Sequence, residues 1–127
     1  MSVPNDRKYA ETHEWFLPDG TLVTVGITQY AADELTDITF VQLPELGALV
    51  GEGDPIGEVE SVKATSEIVT AVSGKIVEIN DALVEQPELI NDSALEDGWI
   101  ARIKADSLGP LADLMDAEAY ESFLEEG

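Results

Sequence analysis

A series of short β-like runs separated by closely spaced turn residues dominates the chain between Pro44 and Asn80. Glycine occurs in that stretch at positions 47, 51, 53, 57 and 74. Short runs rich in apolar and β-branched residues, with turns every few residues, are typical of compact β folds. The sequence therefore predicts a mainly β protein, built as a small sandwich or barrel.

Two of these runs meet at Lys63. The run from Ile56 to Val62 precedes this lysine, and the run from Ile68 to Val72 follows it. Turn residues bound the pair on both sides, at Gly53-Asp54-Pro55 and at Ser73-Gly74. This arrangement predicts a hairpin with Lys63 at its tip, where the amine is accessible to another protein.

The residues around Lys63 leave a second interpretation open. Glu58, Glu60 and Glu67 are close in sequence, so Lys63 could be an ordinary partner in a solvated ion network. Exposed ion pairs of this kind contribute roughly 0 to 1 kcal/mol each. Under that interpretation the lysine has no special role.

The N-terminal part of the chain continues the β pattern. Thr12–Leu17 and Thr21–Ile27 are β-rich segments on either side of Pro18-Asp19-Gly20, which predicts a hairpin. Thr28 is a good N-cap, and alanine and leucine recur after it at helical spacing. We therefore expect one short helix over residues 28–35.

Further elements are expected along the rest of the chain. Residues 38–43 alternate with period two before Pro44, which predicts a strand with one buried face. Residues 82–98 are rich in turn residues, and residues 99–104 alternate again, which predicts the last strand. Two weak helices should follow, one over 107–115 with an early interruption at Pro110, the other from the N-cap Asp116 to Leu124.

Length and composition predict a single domain over residues 1–127. The chain is long enough to bury a core, which we expect over about residues 8–104, with a C-terminal helical segment over about 107–126. No apolar run approaches the ~20 residues that span a bilayer. The N-terminus has neither a secretion signal nor a transit-peptide pattern. If this is the full translation product, we expect a cytoplasmic, bacterial protein that does not bind membranes.

Charge excludes one broad class of function. The chain has 6 basic and 27 acidic residues, a net charge of −21, which repels nucleic acid and anionic membranes. Such a surface suits partners with basic docking surfaces, and equally suits a salty cytoplasm. There is no cysteine, so disulfides and thiolate metal sites are excluded.

No self-contained active site is evident in the sequence. His13 is the only histidine, whereas a zinc site needs about three protein ligands. No glycine-rich phosphate loop precedes a helix. A carrier needs only an attachment nucleophile, a rigid hairpin and surfaces for its enzymes, because the reactive chemistry resides in the cofactor.

The stretch Glu60-Ser61-Val62-Lys63-Ala64-Thr65-Ser66 resembles the lipoyl-attachment turn of the glycine cleavage H-protein family. The likeness runs from about Lys8 to the C-terminus, with an acidic C-terminal helix. Its other matching pieces are His13-Glu14-Trp15, Val25-Gly26-Ile27-Thr28, Phe40-Val41-Gln42-Leu43-Pro44, Val72-Ser73-Gly74, Asn80, Leu89-Ile90-Asn91 and Gly98-Trp99. The chain departs from the family pattern at Thr36, where glycine is usual, and at residues 91–95, which lack a common proline-aromatic pair.

The resemblance implies a barrel-sandwich hybrid fold, as in lipoyl and biotinyl carriers. It implies that lipoate is attached to Lys63 and that Glu60, Ser61, Val62 and Ala64 form the attachment turn. A lipoyl-lysine arm reaches outward by more than roughly 10 Å, counted from bond lengths.

The resemblance also implies a non-catalytic role in glycine cleavage. The carrier takes the aminomethyl group of glycine from the P protein (glycine decarboxylase) to the T protein (aminomethyltransferase). The L protein (dihydrolipoamide dehydrogenase) then reoxidises the dithiol, and a separate lipoate-attaching enzyme loads the lysine.

The resemblance further implies a cleft, lined by Thr12 and Glu14, into which the loaded arm can fold. A sheltered carboxylate would hold the cationic aminomethyl nitrogen by a charge-assisted hydrogen bond. The alternative is that Glu14 is a plain surface acid beside a core Trp15.

Three other functions remain open at this stage. A biotinyl domain would normally have methionine on both sides of its lysine, whereas Val62 and Ala64 stand here. The protein could instead relay lipoate to other enzymes. It could also be an unmodified β-rich interaction domain.

Overall fold

The computed structural model describes residues 3–126, in which nine strands form two sheets, with every neighbouring pair antiparallel. In chain order the strands are β1 (Lys8–Tyr9), β2 (Glu14–Asp19), β3 (Leu22–Ile27), β4 (Ile38–Gln42), β5 (Leu49–Val50), β6 (Pro55–Ser61), β7 (Thr65–Val69), β8 (Gly74–Ile79) and β9 (Ala101–Ala105). One sheet has the order β1-β2-β3-β9-β8-β5, and the other has the order β4-β6-β7. The prediction of a mainly β architecture is confirmed.

Both sheets contribute to the main hydrophobic core. Val25 and Ile103 from the larger sheet pack in the same buried cluster as Val41, Val59 and Ile68 from the smaller one. Burying an aliphatic side chain of this size stabilises the fold by about 1.5–3 kcal/mol. The hairpin β6–β7 is therefore rooted in the core along its inner face.

The N-terminal hairpin forms as predicted, and a tryptophan fixes its position. Trp15 pairs with Gly26 across β2 and β3, and a Cβ atom at position 26 would come within 2.5 Å of the Trp15 ring. The indole nitrogen donates a hydrogen bond to the carbonyl of Ala94 at 3.0 Å. The start of β2, where Glu14 lies, is held in place by these contacts.

The predicted alternation over residues 38–43 is broken by a bulge. The pairing of β4 with β6 shifts register between Ile38 and Phe40. Ile38 and Val41 are buried, whereas Phe40 is 51% exposed. The strand does have one buried face, but an inserted residue separates its buried positions by three instead of two, as a β-bulge does.

The first helix, α1 (Gln29–Leu35), is confirmed, and so is its cap. The side chain of Thr28 accepts a hydrogen bond from the backbone N–H of Ala31 at 3.2 Å. The stretch predicted to be only turn-rich contains two short helices, α2 (Ala82–Glu85) and α3 (Leu89–Ser93). Elements of four or five residues are too short to show helical periodicity, so this prediction was incomplete.

The C-terminal segment also forms largely as expected. A 3-10 helix (Gly109–Asp113) with proline in its first turn replaces the first predicted helix, and α4 (Ala117–Glu126) follows as the second. Asp116 caps α4 by accepting the N–H of Ala119 at 2.8 Å. None of the helices in residues 3–126 is long and apolar enough to cross a bilayer.

Candidate functional site

The hairpin β6–β7 ends at Lys63. The strands pair Glu60 with Thr65, which leaves a tight turn whose tip is the exposed Val62-Lys63 pair. Lys63 is exposed, as predicted from the sequence. The amine therefore stands on a short turn at the end of a hairpin whose inner face is packed in the core.

The hydroxyl of Ser61 closes this turn. It accepts the backbone N–H of Lys63 at 3.3 Å and of Ala64 at 3.1 Å, and it donates to the carbonyl of Ala64 at 3.1 Å. A hydroxyl has one donor and two acceptor sites, so its capacity is filled. Two-residue hairpin loops usually need positive φ, and no residue of this turn has it. The Ser61 side chain supplies the closure that glycine supplies in other hairpins.

A second element braces the turn from the side. The N–H of Val62 donates to the carbonyl of Asp37 at 3.1 Å. The Asn91 side chain holds the two residues on either side of Asp37. It donates a hydrogen bond to the Thr36 carbonyl at 2.6 Å and accepts one from the N–H of Ile38 at 3.0 Å. Sequence reasoning missed Asp37 and Asn91 as supports of the turn. The only available signal was the match at Leu89-Ile90-Asn91.

Thr36 lies in this brace and has a φ of 61°. That is the left-handed region, which a β-branched residue rarely adopts and which glycine adopts freely. Threonine therefore occupies a backbone conformation that favours the glycine usual at this position. The hydrogen bond from Asn91 to the Thr36 carbonyl helps to hold the strained residue.

Lys63 takes no part in an ion pair among residues 3–126. The ion pairs there join Arg7 to Asp6 and Arg102 to Glu78, with N–O distances of 2.8 and 2.7 Å. The interpretation of Lys63 as a member of a surface ion network is therefore not supported.

Glu14 is buried, with 1% of its surface exposed, so its interpretation as a plain surface acid is wrong. One carboxylate oxygen accepts the backbone N–H of Val69 at 3.1 Å, and the other accepts the hydroxyl of Thr12. Burial raises the pKa of Glu14, while these two hydrogen bonds act in the opposite direction. The structure thus brings the exposed Thr12 into contact with the buried, partly desolvated carboxylate of Glu14.

The two groups of predicted site residues lie at opposite ends of β7. Lys63 precedes this strand, and Glu14 contacts Val69, its last residue. Six residues of extended chain span about 20 Å. The amine and the buried carboxylate do not touch each other, and β7 connects them.

His13, the lone histidine, is explained by packing. Its Nδ1 lies 2.7 Å from the hydroxyl of Tyr120 in α4, which in turn lies 2.8 Å from the Thr28 hydroxyl. Burial lowers the pKa of His13, which favours the neutral ring. Within residues 3–126 no cluster of side chains is arranged to hold a metal ion. The contact of His13 with Tyr120 holds α4 against the start of β2.

Comparisons with known proteins agree over nearly the whole chain. The family model described as Glycine cleavage H-protein matches residues 7–127. A glycine cleavage system H protein of Thermus thermophilus is 50% identical over 125 residues, which cover 98% of each chain. The H protein of Staphylococcus haemolyticus is 44% identical over 126 residues, covering 99% of this chain and 100% of that protein.

A solved structure matches the fold as well. The crystal structure of a glycine cleavage system H protein from Mycobacterium marinum has a TM-score of 0.88 and 37% sequence identity. The match covers 97% of this chain and 99% of that one. This likeness confirms the barrel-sandwich hybrid fold that the family resemblance implied.

Proposed function

This chain belongs to the glycine cleavage H-protein family, and we propose that it serves a glycine cleavage system as the lipoyl carrier, with Lys63 as the attachment residue. The observation that carries the assignment of Lys63 is an exposed primary amine on a turn that three separate groups hold in shape. Those groups are the Ser61 hydroxyl, the Asp37 carbonyl and the core-packed strands of the hairpin.

The residues around Lys63 fit an amide-linked lipoyl group. The amine has no ion pair in the described part of the chain, so no such contact is lost when an amide forms. Glu60, Ser61, Val62 and Ala64 keep the lysine at the tip, where a lipoate-attaching enzyme reaches it. When attached, the lipoyl group supplies a disulfide that takes up the aminomethyl group of glycine and a dithiol that is later reoxidised.

The chain's own part in this function is presentation, without catalysis. We assign the proton transfers to the partner enzymes, because the reacting sulfur atoms would lie at the end of an arm that reaches more than roughly 10 Å from the hairpin. These partners are the P protein as glycine decarboxylase, the T protein as aminomethyltransferase and the L protein as dihydrolipoamide dehydrogenase.

Glu14 and Thr12 form the second half of the proposal. A buried carboxylate binds a cationic amine more strongly than an exposed one, because water competes less for both charges. Each Glu14 oxygen already accepts one hydrogen bond and retains a further acceptor site. We assign to Glu14 and Thr12 the role of binding the aminomethyl nitrogen while the loaded carrier moves from one enzyme to the next.

An exchange assay tests the function. Lipoylated protein, P protein and glycine are incubated with labelled bicarbonate, and incorporation of label into glycine is measured. The wild type should support exchange, whereas Lys63→Arg should accept no lipoate and support none. Lys75→Arg, at an exposed lysine of β8, is the matched control and should behave as the wild type does.

Two results would contradict the proposal. Full exchange with Lys63→Arg would remove the lysine from the mechanism. Lipoylated wild type that supports no exchange, but passes its lipoyl group to another acceptor protein, would identify a lipoate relay instead.

A further inference from the structure

The connection between β1 and β2 is a tight turn that carries Thr12. The N–H of His13 donates to the carbonyl of Ala10 at 2.9 Å, and the N–H of Ala10 donates to the carbonyl of Glu14 at 3.0 Å. His13 has a φ of 71°, in the left-handed region that residues other than glycine rarely adopt. The position of the Thr12 hydroxyl relative to Glu14 therefore depends on a backbone conformation that contacts outside the turn must hold.

The hydroxyl of Tyr120 in α4 provides such a contact. It lies 2.7 Å from Nδ1 of His13 and 2.8 Å from the hydroxyl of Thr28, the N-cap of α1. Because Tyr120 and Thr28 are fully buried, their hydroxyl groups depend on protein groups for hydrogen bonds. The carbonyl of His13 also accepts the N–H of Thr28 at 2.9 Å. Both the side chain and the backbone of His13 are thus bound to groups outside the turn.

Other contacts fix the ring of Tyr120 in place. The ring stacks on Tyr9 of β1, with centroids 4.8 Å apart and planes inclined by 13°. Just before α4, Met115 exchanges two backbone hydrogen bonds with Tyr9, at 2.8 and 3.0 Å. The hydroxyl of Tyr120 is therefore a fixed point against which His13 is positioned.

The turn matters for the proposed site because the Thr12 hydroxyl favours the charged form of Glu14. Burial raises the pKa of Glu14, and the hydrogen bond from Thr12 acts in the opposite direction. Without that hydrogen bond a larger fraction of Glu14 is protonated, and a protonated carboxyl binds a cationic amine less strongly. A displaced turn would thus weaken the site even though Glu14 itself is unchanged.

We propose that Tyr120 is a positioning residue for the Glu14 and Thr12 site: its hydroxyl holds His13 in the left-handed conformation, and the turn then directs the Thr12 hydroxyl to Glu14. This inference rests on the function proposed above for Glu14 and Thr12. The helix α4 acts on the site through His13, without contact to the carried group.

Release of the aminomethyl group from isolated loaded protein tests this role. Tyr120→Phe keeps the ring that stacks on Tyr9 but removes the hydroxyl, and it should speed release by about threefold. Tyr30→Phe is the matched control and should release the group at the wild-type rate. Tyr30 packs against His13 with ring centroids 4.8 Å apart, but its hydroxyl takes no part in the hydrogen bonds that join His13, Tyr120 and Thr28. Thermal unfolding checks that both variants fold.

A double-mutant cycle separates positioning from a general loss of stability. Thr12→Val removes the hydroxyl that Tyr120 positions, and it should speed release at least as much as Tyr120→Phe does. In the Thr12→Val background, Tyr120→Phe should have no further effect on release. Additive effects of the two substitutions would overturn the proposal, because Tyr120 would then act by another route.

Substitutions of His13 give an independent check. Asparagine also adopts the left-handed conformation readily, and its Oδ1, like Nδ1 of histidine, is bonded to Cγ. His13→Asn should therefore release the group at close to the wild-type rate. His13→Leu has no hydrogen-bonding atom and should release it at least as fast as Tyr120→Phe does. Fast release from both variants would show that the histidine ring matters instead of its hydrogen bond, and would overturn the proposal.

Titration of Glu14 in the unlipoylated protein distinguishes failure of this inference from failure of the function. NMR of protein labelled with ¹³C-glutamate follows the carboxyl group. The midpoint should be higher in Tyr120→Phe than in the wild type, because the hydrogen bond from Thr12 that lowers the pKa of Glu14 is weakened. An equal midpoint would overturn the positioning role and leave the carrier function standing. A higher midpoint, with a release rate that even Glu14→Gln leaves unchanged, would contradict the function of Glu14 on which the inference rests.

Discussion

Glu14 combines a structural contact with the proposed functional one. β7 is an edge strand of its sheet, so the N–H groups on its outer side have no neighbouring strand. Glu14 satisfies one of them at Val69, across the boundary between the two sheets. Burial of the carboxylate opposes this gain, since desolvation disfavours the charged form.

Glu14→Gln should separate the two roles. Glutamine retains an acceptor for Val69 and a group that bonds to Thr12, but it removes the desolvated charge. We expect unchanged or greater stability at pH 7 and faster loss of the aminomethyl group from isolated loaded protein. Urea unfolding and the release rate measure these effects, and Glu11→Gln, at an exposed acid nearby, is the control.

The pH dependence of the free energy of unfolding tests whether burial of the ionised Glu14 carboxylate destabilises the fold. The folded-state pKa lies above the ordinary value of 4.5, so the stability contributed by the protonated form is present below that value and is lost as pH rises through the folded-state pKa. The stability of Glu14→Gln relative to the wild type should therefore rise over this interval. A release rate equal to that of the wild type would remove Glu14 from the function.

Among the elements, the hairpin β6–β7 depends on a side chain at its turn. Because Ser61 makes three hydrogen bonds within the turn, its loss leaves the N–H groups of Lys63 and Ala64 to water. Exposed backbone groups rehydrate, so the cost to global stability is small, about 0.5–1.5 kcal/mol. The local effect on the orientation of Lys63 is larger, because the loop has no glycine to adopt a standard hairpin turn.

Ser61→Ala should slow lipoylation more than it lowers stability. We expect kcat/KM of the lipoate-attaching enzyme to fall by about tenfold, with faster amide exchange at Ala64, for a change of about 1 kcal/mol in unfolding free energy. Ser66→Ala is the matched control, at an exposed serine of β7 in the same hairpin. Unchanged lipoylation in Ser61→Ala would mean that the enzyme does not need a fixed turn.

Local sequence patterns predicted most of the strands and helices. The contacts that these patterns did not predict join residues that are far apart in the chain. The hairpin at Lys63 and the cap at Thr28 follow from neighbouring residues. The contact of Glu14 with Val69 joins residues 55 positions apart, so the sequence did not predict it, and only the family resemblance marked Glu14 as a site residue. Asn91 reaches Thr36 and Ile38 in the same way. The bulge in β4 shifts its pairing with β6. The residues of β4 still alternate in the sequence as in a regular strand, so the bulge could not be predicted from them.

At the scale of the whole molecule, both sheets support the hairpin that presents Lys63. The two sheets share one core, and the hairpin's inner face is part of it. Lys63 lies at the tip of this hairpin, and the carboxylate of Glu14 lies at the far end of β7. Neither of the ion pairs in the described part of the chain involves Lys63.

The proposed function depends on lipoylation of Lys63. The direct test is mass spectrometry of the protein isolated from cells that make lipoate, first intact and then as peptides. We expect an increase in mass equal to one lipoyl group, located on the peptide that contains Lys63 and absent from Lys63→Arg. An unmodified Lys63 in those cells, or a lipoyl group on another lysine, would contradict it.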